Sequence, residues 1–361
     1  MEINLLRQNK IKDFIIKFLI FIFPLSLVSG PLIPDLIISF SSILFLIFLK
    51  KEIYFLFKEN TFIKIFFLFF LYLVFNSFFS EVMWISMKSS ITYIRFLVFV
   101  CIIYYLCEYY SNSRYIFLLG LLFTFIILCL DANFQYLTGK NFFGFEPQQY
   151  PLRISGMFKD ELILGSYLSR LLPLLFAFTI IVFGKKLFPY LLCLSILVFI
   201  DILVFLSGER TAFFNLLLFT IILIFLSNNF KIFRIITFFV SILILFLVTL
   251  NNSEIKQRMI DKTITQTNIS NLNIFAETQN KKNEYDAVRF FSSEHQLLFS
   301  TALNLFKDYP IIGIGPKLYR HYCKDKRYFK EIHRQDTGKM NNCSTHPHNT
   351  YLQLLSETGL I

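Results

Sequence analysis

Residues 232–250, IFRIITFFVSILILFLVTL, carry the pattern that decides the fold. The stretch is almost wholly apolar, and its length is close to the ~20 residues that an α-helix needs to cross a bilayer. Of the 361 residues in the chain, 55% are hydrophobic and 16% are charged. A soluble protein of this size does not need so much apolar surface. The sequence therefore predicts an all-α polytopic membrane protein.

Eight apolar segments of similar length precede this one, so we expect about nine transmembrane helices. The first segment follows a basic N-terminus and has no Ala-x-Ala-like cleavage site before Pro31, which indicates an uncleaved span and not a signal peptide. The eight segments cover residues 13–30, 32–49, 62–79, 87–107, 115–137, 163–183, 187–206 and 212–227.

The distribution of the net charge of +11 predicts the orientation of these helices. Short connections rich in Lys and Arg face the cytoplasm, and with the N-terminus inside every basic connection falls on that side. The basic residues concerned are Lys50, Lys51, Lys58, Arg114, Lys185, Lys186, Lys231 and Arg234. This orientation places residues 138–162, 207–211 and 251–345 outside. We therefore divide the chain into a helical bundle (1–250), a large, partly helical outer loop (251–345) and the start of another membrane helix (346–361).

Four ionisable residues fall in the outer halves of predicted spans, namely Arg95, Asp131, Arg170 and Asp201. Such residues are costly in lipid and usually face a polar cavity or a partner. Their shared depth favours a cavity open to the outside. The alternative is that they form structural Arg–Asp pairs within the bundle.

The outer turn and loop contain the candidate functional side chains. Arg210 could bind a phosphate through its guanidinium fork or simply extend to the membrane interface. All five histidines lie in the outer loop, but none has the spacing of a zinc site, so no metal is predicted. His348 suits acid–base chemistry near neutral pH. In an oxidising compartment, Cys323 and Cys343 would form a disulfide.

The glycine pair Gly313 and Gly315 does not predict a nucleotide site. A dinucleotide fingerprint has a third glycine, where this chain has Leu318, and it follows a strand. The segment indicates a turn after a helix, and no cofactor is predicted.

Four motifs together resemble the bacterial family of O-antigen ligases and oligosaccharide polymerases, which are membrane glycosyltransferases. Arg153-Ile-Ser-Gly-Met-Phe158 with Leu164-Gly-Ser-Tyr-Leu168 resembles its Gly-x-Phe segment, and Leu206-Ser-Gly-Glu-Arg210 its outer turn. Arg289 with Tyr309-Pro-Ile-Ile-Gly-Ile-Gly315 is similar to its Arg…Pro-Leu-x-Gly-x-Gly stretch. His346-Pro-His-Asn-Thr-Tyr-Leu352 through Gly359 resembles its His-Asn signature, the most specific of the four. The ligase-like region covers about 190–361.

The resemblance implies an activity and its partners. Family members transfer a glycan from undecaprenyl pyrophosphate at the periplasmic face of the inner membrane, either to the lipid A-core of lipopolysaccharide or to another lipid-linked repeat. It implies catalytic roles for Arg210, Arg289 and His348. The resemblance and the position of the residues also make Asn349, Arg170 and Arg153 candidates for substrate binding. No nucleic acid, metal or cofactor is expected as a partner.

Several alternatives remain open at this point. One dominant outer loop favours a ligase over a polymerase, which more often has two. Buried charges also occur in transporters of lipid-linked glycans, and a non-catalytic scaffold is a third possibility. Family members usually continue beyond the Gly359 motif, so we expect further C-terminal spans to be missing from this chain.

Overall fold

The computed structural model describes residues 10–48, 50–110, 112–147, 152–184, 187–226, 231–261, 263–264, 293–334 and 338–360. These residues are mainly helical, with one short β-hairpin. The helices are α1 (Lys10–Ser26), α2 (Leu32–Phe48), α3 (Lys50–Glu59), α4 (Thr61–Phe78), α5 (Met83–Thr92), α6 (Ile94–Tyr109), α7 (Ser113–Thr138), α8 (Leu164–Phe183), α9 (Leu187–Leu206), α10 (Arg210–Leu226), α11 (Lys231–Asn251), α12 (Ser253–Lys256), α13 (Ser293–Asp308), α14 (Tyr319–Tyr322) and α15 (Thr350–Thr358). The strands are β1 (Glu331–Arg334) and β2 (Gly338–Asn341), and they pair antiparallel with Glu331 opposite Asn341.

The described residues include five helical stretches that are long and apolar enough to cross a membrane. These are α4, the continuous stretch Met83–Tyr109, α7, α8 and α11. Three shorter apolar helices are Leu32–Phe48, Ile196–Leu206 and Arg210–Leu226. The prediction of a mainly helical integral membrane protein is confirmed. The count of nine spans and the periplasmic position of the large loop stay predictions.

The chain divides into two compact units. Unit 1 contains Met1–Ile37 and Leu106–Thr263, and unit 2 contains Ile38–Tyr105 and Ile264–Ile361. The sequence division into 1–250, 251–345 and 346–361 follows the predicted membrane topology and stays a prediction.

Unit 1 has its core along α7 and α8. Buried apolar residues recur every three or four positions on each helix, which places them on one face. They are Leu118, Leu121, Phe125 and Leu128 on α7, and Leu164, Leu168, Leu172 and Leu175 on α8. Gly120 on α7 lies so close to α1 that a Cβ atom there would overlap the carbonyl of Phe21. A small residue therefore allows the two helices to approach closely, as is common in membrane proteins.

A buried ion pair joins α9 and α11 within unit 1. Asp201 accepts bonds from Nη1 and Nη2 of Arg234 at 2.8 and 3.0 Å, and from Ser241 Oγ at 2.7 Å. Thr220 Oγ1 on α10 accepts from Arg234 Nε at 3.2 Å. For Asp201 the structure thus favours the structural pair over a cavity. The placement of Arg234 in a connection between helices was wrong, because it lies within α11 and its side chain is fully buried. The cytoplasmic position of this helix end stays a prediction.

The other three ionisable residues of the predicted spans have different surroundings. Asp131 accepts from Phe142 N at 2.9 Å and from Asn141 Nδ2 at 3.4 Å, so it holds the loop that follows α7. Arg170 is exposed on α8. In unit 2, Ser42 Oγ donates to the Arg95 carbonyl at 3.2 Å, and the Arg95 guanidinium lies 5.0 Å from the Phe96 ring centroid.

Unit 2 combines apolar helices with a small folded region formed by α13, α14, the hairpin and α15. A serine cluster ties α4 to α5, because Ser77 Oγ lies 2.8 Å from Ser90 Oγ and 3.0 Å from Ser86 Oγ. The folded region packs around Leu298, Ala302, Leu305, Leu318 and Tyr319, which are all buried.

Candidate functional site

The turn between α9 and α10, residues 207–210, organises the first candidate site. Gly208 has a φ of +68°, a left-handed value that favours glycine. A Cβ atom at Gly208 would also lie 3.0 Å from both Cγ and Nε of Arg153. Gly208 therefore makes room for an arginine side chain to lie against the turn.

Two arginines bind consecutive carbonyl groups of this turn. Arg153 Nε donates to the Ser207 carbonyl at 3.0 Å, and Arg258 Nε donates to the Gly208 carbonyl at 3.1 Å. The backbone beside Arg153 is held as well, because Ile154 N donates to the Leu206 carbonyl at 3.1 Å. Arg210, the last residue of the turn, directs Nη1 to Thr263 Oγ1 at 3.4 Å.

Glu209 connects the turn to the first residues of α8. Its Oε1 accepts from Gly165 N at 2.7 Å, and its Oε2 accepts from Ser166 N at 3.1 Å and from the Ser166 hydroxyl. Free N–H groups at a helix N-terminus attract a carboxylate. The Leu164-Gly165-Ser166 motif and the Ser-Gly-Glu-Arg motif therefore form one hydrogen-bonded structure.

The electrostatics of this site are dominated by positive charge. Burial, together with the neighbouring charges of Arg258 and Arg210, lowers the pKa of Arg153 to about 10, and Glu209 opposes this shift. Burial also lowers the pKa of Arg258. Burial raises the pKa of Glu209, although its hydrogen bonds with Ser166 and Gly165 favour the ionised form. Three partly buried guanidinium groups in one place can bind an anion through charge-assisted, fork-shaped contacts.

Sequence reasoning identified Arg153 and Arg210 but missed Arg258. The residues after α11 were treated as a polar loop with some helix. In the structure the Asn252 side chain caps a helical turn by accepting from Glu254 N and Ile255 N, and a π-helical turn, Gln257–Asp261, continues it. An asparagine at the end of a span is an N-cap signal. That signal could have predicted the helical turn that leads to Arg258, but not the contact of Arg258 with Gly208.

The second candidate site, in unit 2, surrounds His348 at the start of α15. The Asn349 side chain accepts from Leu352 N at 3.1 Å, so Asn349 is the N-cap of this helix. His348 is exposed, has a φ of +54°, and has Nε2 3.2 Å from Ser344 Oγ. The cap and the left-handed backbone together set the direction in which the imidazole extends from the backbone.

Two further imidazoles lie beside His348. Its ring centroid is 4.4 Å from that of His346 and 5.9 Å from that of His295 on α13. Burial lowers the pKa of His346, and His348 and Arg320 lower it further. Among the residues that the structure describes, no group of three or more His, Cys, Asp or Glu side chains has a geometry that could hold a metal ion.

The glycines of the second site allow two backbone segments to pair. Gly315 N donates to the Glu357 carbonyl at 2.9 Å, Ile314 N to the Ser356 carbonyl at 3.0 Å, and Leu360 N to the Pro310 carbonyl at 3.0 Å. A Cβ atom at Gly313 would lie 2.6 Å from Thr358 N, and one at Gly359 would overlap the Ile311 carbonyl. The Gly-x-Gly segment and the final glycine are thus required for the same close contact.

The structure pairs Cys323 with Cys343 as a disulfide, with Cα atoms 5.2 Å apart. Cys343 directly follows Asn342, a buried residue whose side chain donates to the Thr301 hydroxyl and the Tyr328 carbonyl at 2.6 Å each. The segment that leads to His348 is therefore held by both a covalent bond and buried hydrogen bonds.

The predicted site residues fall in different parts of the chain. Arg153 and Arg210 meet at one turn of unit 1, and Arg170 is exposed further along α8. His348 and Asn349 are adjacent in unit 2, where Asn349 serves as a helix cap. Arg289 lies outside the described residues, and its role stays a prediction.

The turn at 207–210 and the segment around His348 both lie within the range matched by a known family. The O-antigen ligase family model matches residues 191–361. The resemblance to O-antigen ligases is confirmed in this part of the chain, which includes the turn at 207–210, Arg258, Gly313 and His348. Arg153 and Arg170 precede the matched range. Neither a curated protein nor a solved structure matches the chain.

The O-antigen ligase match suggests a class of activity. Membrane glycosyltransferases of this family act as O-antigen ligases or related polymerases, and the family implies a lipid-linked glycan as donor. The apolar helices and the match together indicate an integral protein of the inner membrane.

Proposed function

We propose that the protein transfers an O-antigen-type glycan from undecaprenyl pyrophosphate to the lipid A-core of lipopolysaccharide at the periplasmic face of the inner membrane. The observation that carries this proposal is the convergence of Arg153 and Arg210 at one turn. That turn lies within the O-antigen ligase match. A cationic site of this kind suits the diphosphate of the donor.

The reaction requires little covalent help from the protein. An acceptor hydroxyl attacks the anomeric carbon of the glycan, the bond from that carbon to the diphosphate breaks, and the hydroxyl proton passes to a base. The leaving diphosphate gains negative charge, which fixed guanidinium groups stabilise. Arg210 and Arg153 would carry out this role, and Arg289 would add to it.

His348 is the residue we propose to act on the acceptor. Its imidazole is exposed, and Nε2 lies 3.2 Å from Ser344 Oγ, so the ring has a nearby polar group that could orient it. A histidine can accept or position a hydroxyl proton near neutral pH. Arg170 and Asn349 remain candidates for substrate binding, the latter through its position beside His348. None of these steps calls for a metal or a cofactor.

The proposal is tested with the full-length protein purified in detergent and supplied with undecaprenyl pyrophosphate-linked glycan. Lipid A-core and a second lipid-linked repeat are offered separately as acceptors, in the presence of EDTA, and products are resolved on gels. Transfer to lipid A-core supports the ligase. A ladder on the lipid carrier would instead make the protein a polymerase, and binding without transfer to either acceptor would favour a transporter or a scaffold.

Variants identify the residues responsible. Arg210→Ala and His348→Ala should each reduce transfer by roughly 10²-fold or more while the protein stays in the membrane. Arg210→Lys should also transfer poorly, because a point charge does not replace the guanidinium fork. Arg114→Ala and His321→Ala serve as matched controls, since both side chains are exposed. Near-normal transfer by His348→Ala would remove His348 from catalysis.

A further inference from the structure

Arg258 is oriented by the same turn that orients Arg153. The Nε groups of Arg258 and Arg153 donate to the carbonyls of Gly208 and Ser207, which are consecutive residues. A guanidinium group has five N–H donors, four of them on its two terminal nitrogens. Each of these hydrogen bonds uses only Nε, so the carbonyls of the turn leave the terminal nitrogens of both arginines unused. The charges of Arg258 and Arg210 both act on Arg153, which indicates that the three side chains lie near one another.

Two carboxylates near the turn accept hydrogen bonds from backbone N–H groups. Glu209 accepts from the N–H groups of Gly165 and Ser166. Glu254 Oε2 accepts from Leu152 N at 3.1 Å. Asp261 is exposed at the end of the π-helical turn. Among the described residues no ion pair within 4.0 Å joins Arg153 or Arg258 to a carboxylate. The terminal guanidinium nitrogens of Arg153 and Arg258 are therefore not held by a carboxylate in the described part of the chain.

Such an arrangement costs stability until an anion joins it. The three guanidinium groups are each partly buried, and burial together with the charges of Arg258 and Arg210 lowers the pKa of Arg153. Clusters of this kind are typical of functional sites, where a bound ligand offsets the repulsion. The four terminal nitrogens contributed by Arg153 and Arg258 supply several N–H donors for phosphate oxygens.

We propose that Arg258 is the third arginine of a diphosphate-binding site formed with Arg153 and Arg210. The inference rests on the proposed function, because it identifies the ligand as the diphosphate of a polyprenyl donor. Arg258 lies in the ligase-like part of the chain and is anchored to the same turn as the other two.

The charge of the ligand changes during the proposed reaction, and this gives Arg258 a specific role. The glycosylated diphosphate carries about two negative charges at neutral pH, and the released lipid diphosphate carries about three. The proton lost by the acceptor balances the added charge. Three guanidinium groups match the product and the late transition state better than the donor. Arg258 should therefore contribute more to binding of undecaprenyl pyrophosphate than to binding of the glycosylated donor.

The test measures binding separately from transfer, using the full chain in detergent. Radiolabelled undecaprenyl pyrophosphate is bound to wild type, Arg258→Gln, Arg258→Lys and the exposed control Arg114→Gln. Arg258→Gln should bind roughly 10- to 100-fold more weakly, from the strength of hydrogen bonds to charged groups. Arg258→Lys should be intermediate, and Arg114→Gln should match wild type. The loss for Arg258→Gln should be smaller with glycosylated donor.

Competition identifies the form of diphosphate that the site takes. If inorganic pyrophosphate displaces the label at concentrations close to the concentrations of undecaprenyl pyrophosphate that do so, the site recognises the diphosphate group itself. Displacement by the lipid alone supports a site that also requires the polyprenyl chain. Displacement by uncharged undecaprenol as strongly as by undecaprenyl pyrophosphate would overturn the proposal.

A stability measurement excludes a purely structural role for Arg258. Because Gln can still donate to the Gly208 carbonyl while removing one repelling charge, Arg258→Gln without ligand should unfold at the same temperature as wild type or higher. Undecaprenyl pyrophosphate should raise the unfolding temperature of wild type more than that of the variant. Equal destabilisation of both Arg258 variants, with normal affinity in the folded fraction, would overturn the proposal.

The outcomes for this inference and for the proposed function are distinguishable. If diphosphate binding depends on Arg258 but the protein transfers glycan to no acceptor, the proposed function would be refuted while the diphosphate site would stand. If wild type transfers glycan, and Arg258→Gln binds diphosphate and transfers glycan normally, the proposed diphosphate site would be refuted while the proposed function would stand.

Discussion

Replacing Asp201 should destabilise unit 1 strongly, because its partner is buried beyond the reach of water. In Asp201→Ala the Arg234 guanidinium, with a side chain 0% exposed, loses bonds of 2.8 and 3.0 Å. Removing one partner of a buried ion pair costs about 3–5 kcal/mol, since the remaining charge is left unpaired. Thr220 still accepts from Arg234 Nε, so we expect the lower end, about 3 kcal/mol.

The measurement is thermal unfolding of the purified protein in detergent. At roughly 2 °C per kcal/mol for a large domain, a loss of about 3 kcal/mol lowers the midpoint by about 6 °C. Asp325→Ala is the matched control, because Asp325 pairs with Arg327 at 3.4 Å on the surface, and exposed pairs contribute roughly 0–1 kcal/mol.

A double replacement separates pairing from packing. Asp201→Leu combined with Arg234→Met removes both charges and keeps much of the side-chain volume, so it should recover most of the lost stability. The reasoning would be refuted by an Asp201→Ala protein that unfolds within about 1 °C of wild type. It would also be refuted by a double variant as unstable as Asp201→Ala.

Three further predictions concern the two sites. Gly359→Ala should lower the expression and the unfolding temperature, because a Cβ atom there would overlap the Ile311 carbonyl; Gly139→Ala, which has a similar positive φ but no neighbouring atom within 4 Å, is the control for backbone strain. Burial raises the pKa of Glu209 above its ordinary value of 4.5, so the folded state binds this proton more tightly than the unfolded state does. Wild type should therefore lose stability as the pH rises from about 4.5 through the raised pKa. A pH series of unfolding temperatures should show this loss for wild type but not for Glu209→Gln. Reduction should free two thiols, at Cys323 and Cys343, and make the segment before His348 more sensitive to protease; free thiols at both positions in non-reducing mass spectrometry of untreated protein would contradict this.

The helices were predictable because apolar runs of membrane length are a strong sequence signal. The pairing of Asp201 with Arg234 was not predictable, since Arg234 lies near the start of its helix and resembles a basic residue of a cytoplasmic connection. A side chain as long as arginine can reach a carboxylate more than one helical turn away in depth. Sequence position alone does not show in which direction it extends.

The candidate sites were predictable to different degrees. Arg210 was conspicuous because it lies in a very short turn between two apolar runs. Arg258 is one of several basic residues in a polar stretch, and only the folded turn brings it to Gly208. Asn349 was expected to bind substrate, and in the structure it caps α15. Its amide oxygen is thereby committed to the backbone, and its proposed role in binding remains to be tested.

The left-handed backbone of His348 limits which amino acids can replace it. At a φ of +54° glycine is unstrained, asparagine and aspartate are tolerated, and β-branched residues are strongly disfavoured. Natural or selected variants at this position should therefore be drawn from His, Asn, Asp and Gly, whatever the demands of catalysis. A His348→Asn chain would keep the turn into α15 while losing the imidazole, so a lineage that had abandoned transfer could retain the shape of the site.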